Sequence, residues 1–302
     1  YGGYLFFFLL IFRFVWGSIG SRYALFRSFA YDWPSVRAYL KGLLSGQAAR
    51  HIGHNPAGAW AIFIMLGLGV LVSVSGLMVL GGEENHGPLA GLVSPQTGET
   101  AHEAHEVLTN LMLVLVFIHL GGVLVESVVH RENLIWSMIT GVKEALAGTP
   151  GVRNFGLIGV ALLATAVGSA LYYFRGYITE TPDKPFLPYQ GPKLADHAVW
   201  RKTCGECHLA FHPTLLPARS WRVMMEQQHD HFGDDLDLDE PTVNDILTFM
   251  VDHAAETKVT EPAREIARTV AENEAPQRIT ETAFWKKEHR KVEKTYFEHK
   301  NV

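Results

Sequence analysis

The chain has 302 residues, of which 48% are hydrophobic and 19% are charged, and its formal net charge is −5. The sequence has no basic cluster for a polyanion, so nucleic acid is excluded as the expected partner, and two cysteines are too few for a disulfide framework. Long apolar runs dominate up to about residue 176 and a charged, proline-punctuated sequence follows, so the composition predicts two different halves.

Four segments of the first half are apolar enough to cross a bilayer, which takes about 20 residues. They cover residues 4–19, 57–81, 107–129 and 155–174. The first begins almost at Tyr1, without an initiator methionine, a basic flank or a cleavage site, so it is not typical of a signal peptide. We expect the native chain to extend upstream of it. The sequence predicts an all-α fold that starts with a transmembrane helical bundle embedded in membrane lipid.

The charges of the loops orient the four spans. The loop after the first span is basic, with Asp32 as its only acid, whereas loop 82–104 carries glutamates and no basic residue. Loop 130–154 again carries arginine and lysine. By the positive-inside rule these loops are cytoplasmic, outer and cytoplasmic in turn. We therefore expect a multi-pass protein of the bacterial inner membrane whose C-terminal half lies in the periplasm.

Two histidines mark the third span. His105 stands at its entrance and His119 lies 14 residues later. This separation is close to four helical turns, so both occupy nearly the same face, about 21 Å apart along the axis. An ionisable side chain in lipid is costly and is a functional hypothesis by default, and a neutral imidazole is the usual haem ligand. The pattern predicts that His105 and His119 bind two haems b; the alternative for His119 is a polar contact between helices.

Other ionisable residues lie in or near the predicted spans. Arg13 interrupts the first span and suits contact with a haem propionate, because a guanidinium can bind a carboxylate in a bidentate manner. Glu126 follows His119 by seven residues and would either carry protons or pair with Arg13. His51 and His54 precede a predicted helix start at Asn55-Pro56. A capping or interfacial role is favoured for these two, with contact to quinone as the alternative.

The sequence RKTCGECHLAFHP contains the C-x-x-C-H pattern of c-type haem attachment, formed by Cys204, Cys207 and His208. Two thiols at this spacing can bond the two vinyl groups of one haem, and the adjacent imidazole then falls under the iron. The alternatives are a redox dithiol and half of a zinc site. A second C-x-x-C pair is absent from the sequence, which disfavours structural zinc.

The sixth ligand of this iron has several candidates. They are His197, His212, His229, His231, His253, His289, His299, Met224 and Met225. We predict His231, which stands beside the turn-forming Gly233 in QQHDHFGDD. His212 is too close to His208 in sequence to cross the iron easily, and the two methionines lie in a helical stretch where core packing is the commoner role.

The first half resembles a known family. The stretches FRFVWGSIGSRYALF, GHNPAGAW and AHEVLTN...FIHLGGVLVES are similar to the bacterial cytochrome b561 family of four-helix, di-haem b membrane proteins, over about residues 1–145. In that family the last helix of the bundle supplies two haem ligands at the spacing of His105 and His119. Their partners come from the first and second helices. The resemblance therefore implies that these partners, and a fifth span, lie upstream of Tyr1.

The second half resembles another family. CGECHLAFHPTLLPARSWRVMM, together with DHFGDD and RITETAFWKKEHRKV, is similar to the bacterial di-haem cytochrome c family. That family has a second C-x-x-C-H near its end, and this chain reaches Val302 without one. The resemblance implies one haem c here and leaves open a second one in a longer native protein, for which His289 is a doubtful ligand.

The predicted organisation is a membrane cytochrome b domain over residues 1–176, an extended linker over 177–193, and a mainly helical cytochrome c domain over 194–302 on the outer side. This arrangement predicts one-electron transfer between the quinone/quinol pool and a periplasmic redox partner. One alternative is a superoxide-oxidising membrane cytochrome b. Another is a haem-bearing anchor of a dehydrogenase or hydrogenase complex. The sequence leaves open whether the chain is a carrier or an oxidoreductase subunit, the electron direction and the oligomeric state.

Overall fold

A computed structural model describes residues 2–143, 149, 156–290 and 292–293. Its regular structure in these residues is helical, apart from isolated β-bridges at Thr181–Lys184 and His231–Asp234. The all-α prediction is confirmed. The chain divides into two compact units, one formed by residues 1–79 and 100–188 and the other by residues 80–99 and 189–302.

Among the described residues, the membrane part contains six α-helices. They are α1 (Gly2–Ile19), α2 (Trp33–Leu44), α3 (Pro56–Gly82), α4 (Pro95–Val129), α5 (Leu134–Thr140) and α6 (Gly156–Ile178). Four of these, α1, α3, α4 and α6, are long and apolar enough to cross a membrane. The prediction of four spans is therefore confirmed.

Capping residues explain where two of these helices begin. The side chain of Asn55 accepts a hydrogen bond from the backbone N–H of Gly58 at 2.7 Å, so the predicted start at Asn55-Pro56 is confirmed. α4 begins at Pro95, well before the predicted residue 107, and Ser94 Oγ accepts from the N–H of Thr97. The helix therefore contains the predicted apolar span and extends beyond it, because hydropathy detects only the apolar part of a helix, whereas backbone hydrogen bonding continues through its polar first turns.

Aromatic side chains join α1 to α6 in the first unit. The ring of Tyr173 lies 5.3 Å from that of Tyr4 and 6.4 Å from that of Phe8, measured between centroids. Most other apolar side chains on these helices face outward, and Phe117 of α4 is 65% exposed. Apolar surface on this scale suits contact with lipid rather than with water.

The second unit contains the remaining helices. They are α7 (Ala198–Cys204), α8 (Ala218–Glu226), α9 (Glu240–Asp252), α10 (Glu261–Thr269) and α11 (Ala283–Glu288). Trp200, Trp221 and Met225 belong to its buried core, which confirms core packing as the role of Met225. α9 follows Asp239, whose side chain accepts from the N–H of Thr242 at 2.9 Å.

Candidate functional site

The two thiols lie at the end of α7. Cys204 is its last residue and packs partly buried against the core, whereas Cys207 is exposed in the following turn. Burial raises the pKa of the Cys204 thiol to about 11. A redox dithiol needs a thiol with a lowered pKa, so this environment disfavours that alternative. Within the described ranges no group of three or more His, Cys, Asp or Glu side chains is placed to hold a metal ion.

His208 faces His231 across a short gap. Their ring centroids lie 6.2 Å apart and their ring planes differ by 23°. An imidazole nitrogen binds a metal ion at about 2 Å, so two axial imidazoles on one iron have centroids about 6 Å apart. The observed centroid separation is therefore of the size expected for two imidazoles that bind one iron. The geometry supports His231 as the sixth ligand, and that assignment stays a prediction.

A tight turn positions His231. Its N–H donates to the carbonyl of Asp234 at 2.7 Å, and the N–H of Asp234 donates back at 3.2 Å. Between them, Gly233 has a φ of +104°, in the region that favours glycine. Burial, and then the neighbouring His208, lowers the pKa of His231, while Asp234 opposes the shift. A lowered pKa keeps the imidazole neutral, which is the form that binds a metal.

Hydrogen bonding selects the tautomer of His208. Its Nδ1 lies 2.8 Å from the backbone carbonyl oxygen of Leu209. A carbonyl can only accept, so Nδ1 carries the proton and Nε2 keeps its lone pair for a metal. This is the usual second-shell arrangement of a metal-binding histidine.

Two rival histidines serve as helix caps instead. Nδ1 of His197 accepts from the N–H of Trp200 at 3.1 Å, and Nδ1 of His212 accepts from that of Thr214 at 3.3 Å. In a neutral ring the proton is then on Nε2, which cannot also bind a metal. The structure therefore disfavours both as ligands.

The other rivals differ in their surroundings. His229 is exposed, with Nδ1 2.9 Å from a carboxylate oxygen of Asp235. His253 and His289 donate from Nδ1 to carbonyls one turn earlier, at 2.8 and 2.9 Å, as His208 does to its neighbour. Their tautomer suits a ligand, but neither has a described ring contact with His208. His299 lies outside the described residues.

His105 on α4 lies against α3. Its Nδ1 is 2.9 Å from Ser75 Oγ, which is itself 3.1 Å from the carbonyl of Val72. The single hydroxyl proton goes to the carbonyl, so Nδ1 of His105 is the donor and Nε2 keeps its lone pair. A Cβ on Gly76 would lie 3.1 Å from the ring, so a glycine lets the imidazole sit close to α3. Ser75 and Gly76 were missed by the sequence analysis, although small residues at helix contacts are a known signal.

His119 lies further along α4, half-buried, in the same unit as His54. Burial, followed by the charges of Arg13, His119 and Lys143, lowers the pKa of His54 to about 4. The ring of His54 lies 4.4 Å from that of Phe29, and its Nδ1 is buried without a hydrogen-bond partner among the described residues. His54 is therefore a neutral imidazole with one unused polar atom.

Arg13 on α1 packs against aromatic rings. Its guanidinium carbon lies 4.8 Å from the centroid of Phe26 and 5.8 Å from that of Phe29. One terminal nitrogen is 3.4 Å from the carbonyl of Ala24. The binding of a haem propionate by Arg13 stays a prediction.

Glu126, near the end of α4, is 7% exposed. It accepts hydrogen bonds from the Tyr39 hydroxyl and from Asn55 Nδ2, the latter at 2.7 Å. Nε2 of His130 lies 3.6 Å from its other oxygen. In the structure, Glu126 therefore contacts Tyr39, Asn55 and His130, and the described contacts of Arg13 are with other residues.

Comparison with known families identifies both parts of the chain. Residues 1–141 match the family described as prokaryotic cytochrome b561, and residues 200–302 match dihaem cytochrome c. The N-terminal part of the chain is thus similar to the cytochrome b561 family, and the C-terminal part is similar to the dihaem cytochrome c family. Both predicted resemblances are confirmed. These two families imply haem b and haem c as cofactors.

Curated relatives match part of the chain. A probable Ni/Fe-hydrogenase B-type cytochrome subunit from Azotobacter vinelandii is 33% identical over 116 residues, which are 36% of this chain and 48% of the relative. A protein of the same description from Cupriavidus necator is 25% identical over 120 residues, covering 37% and 49%. The chain thus spans about half the length of the curated relatives that it matches.

Solved structures of diheme cytochromes c are also similar. The one from Rhodobacter sphaeroides is 30% identical, with a TM-score of 0.31, and the match covers 34% of this chain and 79% of that chain. The one from Shewanella baltica is 32% identical, with a TM-score of 0.25, covering 32% and 63%.

Proposed function

We propose that this protein carries electrons between the quinone/quinol pool of the bacterial inner membrane and a periplasmic redox partner. The facing pair of His208 and His231, beside two thiols, carries the proposal. The same chain has a membrane helix with His105 and His119 on one face. A redox centre outside the membrane and two within it would form a continuous route for electrons.

The residues of the chain would hold the cofactors in different ways. Cys204 and Cys207 would attach haem c covalently, with His208 and His231 on its iron. His105 and His119 would each supply one ligand to a haem b. Haem supplies an iron that gains and loses one electron at a time, and the protein tunes it through the ligands and their burial.

The orientation belongs to this proposal as well. The basic loops after the first and third spans favour a cytoplasmic position for those loops. Residues 1–176 would then form the membrane domain, 177–193 the linker, and 194–302 a cytochrome c domain in the periplasm. The periplasm is also where covalent haem attachment is typically completed in bacteria.

Anaerobic reduction by quinol tests the proposal. The purified full-length protein would be mixed with a short-chain quinol, and the absorption bands of haem b and haem c would be followed separately. We expect both to become reduced with no other protein present. If dithionite reduces both haems but quinol reduces neither, the proposal is wrong.

A second candidate function is a haem-bearing anchor for a dehydrogenase or hydrogenase. It is favoured by the curated relatives, which are described as probable B-type cytochrome subunits of Ni/Fe-hydrogenases. In this case an enzyme subunit would deliver the electrons. Hydrogen-driven haem reduction that requires a co-purifying subunit supports the anchor, whereas quinol-driven reduction of the isolated chain supports the first function.

A further inference from the structure

The end of α4 holds a buried carboxyl group that electron transfer itself does not require. One oxygen of Glu126 accepts hydrogen bonds from Tyr39 and Asn55, and the other lies 3.6 Å from His130 Nε2. We call these four residues the carboxyl cluster. They come from α2, from the residue before α3, and from α4 and the residue that follows it.

The partners of Glu126 in the cluster are a phenol, an amide and an imidazole. In the described part of the chain, no lysine or arginine contacts this carboxyl group. Arg50 and Lys143 contact Glu132 instead, and Arg13 lies over two phenylalanine rings. A buried carboxylate without a cation is costly, whereas its protonated form is neutral. This environment suits a group that accepts and releases a proton.

His130 offers the next position for that proton. Its Nε2 is buried and has no hydrogen-bond partner among the described residues. Its backbone N–H donates to the carbonyl of Glu126 at 3.0 Å, which fixes the ring beside the carboxyl group. A proton on Glu126 therefore has an open nitrogen 3.6 Å away.

The cluster also lies close to a predicted redox centre. Glu126 follows His119 by seven residues on α4. Seven residues are nearly two turns, so the two side chains share a face and lie about 10 Å apart along the axis. His54, which adjoins Asn55 in sequence, is influenced electrostatically by His119. A proton acceptor and an electron acceptor thus lie at the same end of the bundle.

We infer that Glu126 accepts the protons released when a quinol is oxidised at this end of the bundle, and that it passes them to His130. The inference rests on the proposed function. Each quinol would lose two electrons, and a ferric haem b held at His119 would supply the one-electron acceptor for them. The two hydroxyl O–H bonds of the quinol break, and each proton in turn forms an O–H bond on the Glu126 carboxylate. That proton then moves to Nε2 of His130, which restores the carboxylate, and the imidazolium releases a proton from its other ring nitrogen, Nδ1, to water.

A purely structural role is the competing explanation, since Tyr39 and Asn55 both bind Glu126 and tie neighbouring segments to α4. Glu126→Gln separates the two roles. Its amide oxygen still accepts both hydrogen bonds, but it cannot take up a proton. Glu103→Gln is the matched control, because Glu103 is an exposed carboxyl group on the same helix.

Two measurements are made on the full-length protein loaded with haem. Quinol-driven reduction of haem b should slow by roughly 100-fold in Glu126→Gln, the range typical of a lost proton acceptor, while dithionite still reduces it. Infrared difference spectra recorded while quinol reduces the protein should show a transient C=O band of a protonated carboxyl group, shifted in D₂O. That band should be absent in Glu126→Gln and present in Glu103→Gln.

The outcomes are distinct. If quinol does not reduce the wild-type protein, the proposed function itself is wrong. If quinol reduces it and Glu126→Gln matches Glu103→Gln in rate and infrared band, only this inference is overturned. A slowed rate with the band retained means a structural role and also overturns it. If Glu126→Gln loses haem b, Tyr39→Phe replaces it as the test, because this variant keeps the carboxyl group and removes one hydrogen-bond donor. A C=O band at the wild-type frequency in Tyr39→Phe overturns the inference.

Discussion

In the second unit, the rings of two candidate iron ligands have centroids 6.2 Å apart. In the first unit, the two candidates lie 14 residues apart on the single helix α4. His208 and His231 can share one iron. His105 and His119 cannot, since 14 residues of helix separate them by about 21 Å. Each of them needs a partner from another helix. The comparison teaches that a local turn can bring two candidate ligands together, whereas a single membrane helix can offer only one ligand to each of two predicted centres.

The hydrogen-bond partners that position these histidines also differ, because those in the second unit are close in sequence and that of His105 is distant. His231 is held by backbone hydrogen bonds within a four-residue turn and His208 by the adjacent carbonyl. His105 is held by Ser75, 30 positions away on another helix. The haem c site should therefore be set by local sequence, and the membrane sites by helix packing.

The largest effect should come from removing a thiol of the haem c site. Cys207→Ala takes away one of the two covalent attachments, so we expect haem staining on a denaturing gel to fall strongly. The haem b content, measured as a pyridine haemochrome, should be unchanged because its ligands lie in the other unit. Loss of both haem types together would contradict the independence of the two units.

Breaking the facing pair should have the next largest effect. His231→Ala leaves the thiols and His208 in place, so covalent haem c should remain. Its iron should lose one axial ligand and change from a low-spin to a high-spin absorption spectrum. His229→Ala is the control, because His229 is exposed and pairs with Asp235. A low-spin spectrum in His231→Ala would mean that another residue is the sixth ligand.

A smaller effect is expected from removing the Ser75 hydroxyl that contacts Nδ1 of His105. Ser75→Ala removes the acceptor of its Nδ1 proton, and the loss of such a second-shell contact typically weakens metal-site affinity by about 10- to 100-fold. Ser73→Ala is the matched control, since the Ser73 hydroxyl is buried without a described hydrogen-bond partner. Haem b retention after dilution into detergent measures the difference, and equal retention in the two variants would remove Ser75 from this role.

The smallest effect concerns the pH dependence of the membrane unit. The pKa of His54 falls from 6.5 to about 4 on burial, so the unfolded state binds a proton in this window and the folded state does not. The contribution of neutral His54 to the free energy of unfolding should therefore be complete above pH 6.5 and should decrease as the pH falls towards 4. His54→Gln should flatten this decline in thermal unfolding followed by helical signal. An unchanged slope would contradict the burial of a neutral imidazole.

Much of the fold was predictable because its signals are local. Apolar runs marked the four spans, Asn55-Pro56 marked the start of α3, and Gly233 marked the turn that carries His231. The start of α4 was not predictable from hydropathy, because its first turns are polar. The Tyr39–Glu126 contact joins residues 87 positions apart, and the sequence does not specify which faces of the helices meet. For the same reason the Ser75 support of His105 was missed.

The most direct test of the electron route is quinol-driven reduction of haem c in His119→Ala. The predicted covalent attachment through Cys204 and Cys207 should keep haem c in this variant, so its absorption band can be followed anaerobically after rapid mixing with quinol. Our account expects haem c to be reduced promptly in the wild-type protein and far more slowly in the variant, because the route through the membrane is interrupted. Haem c reduction at the wild-type rate in His119→Ala would show that electrons reach it without the membrane centres, and would contradict the account.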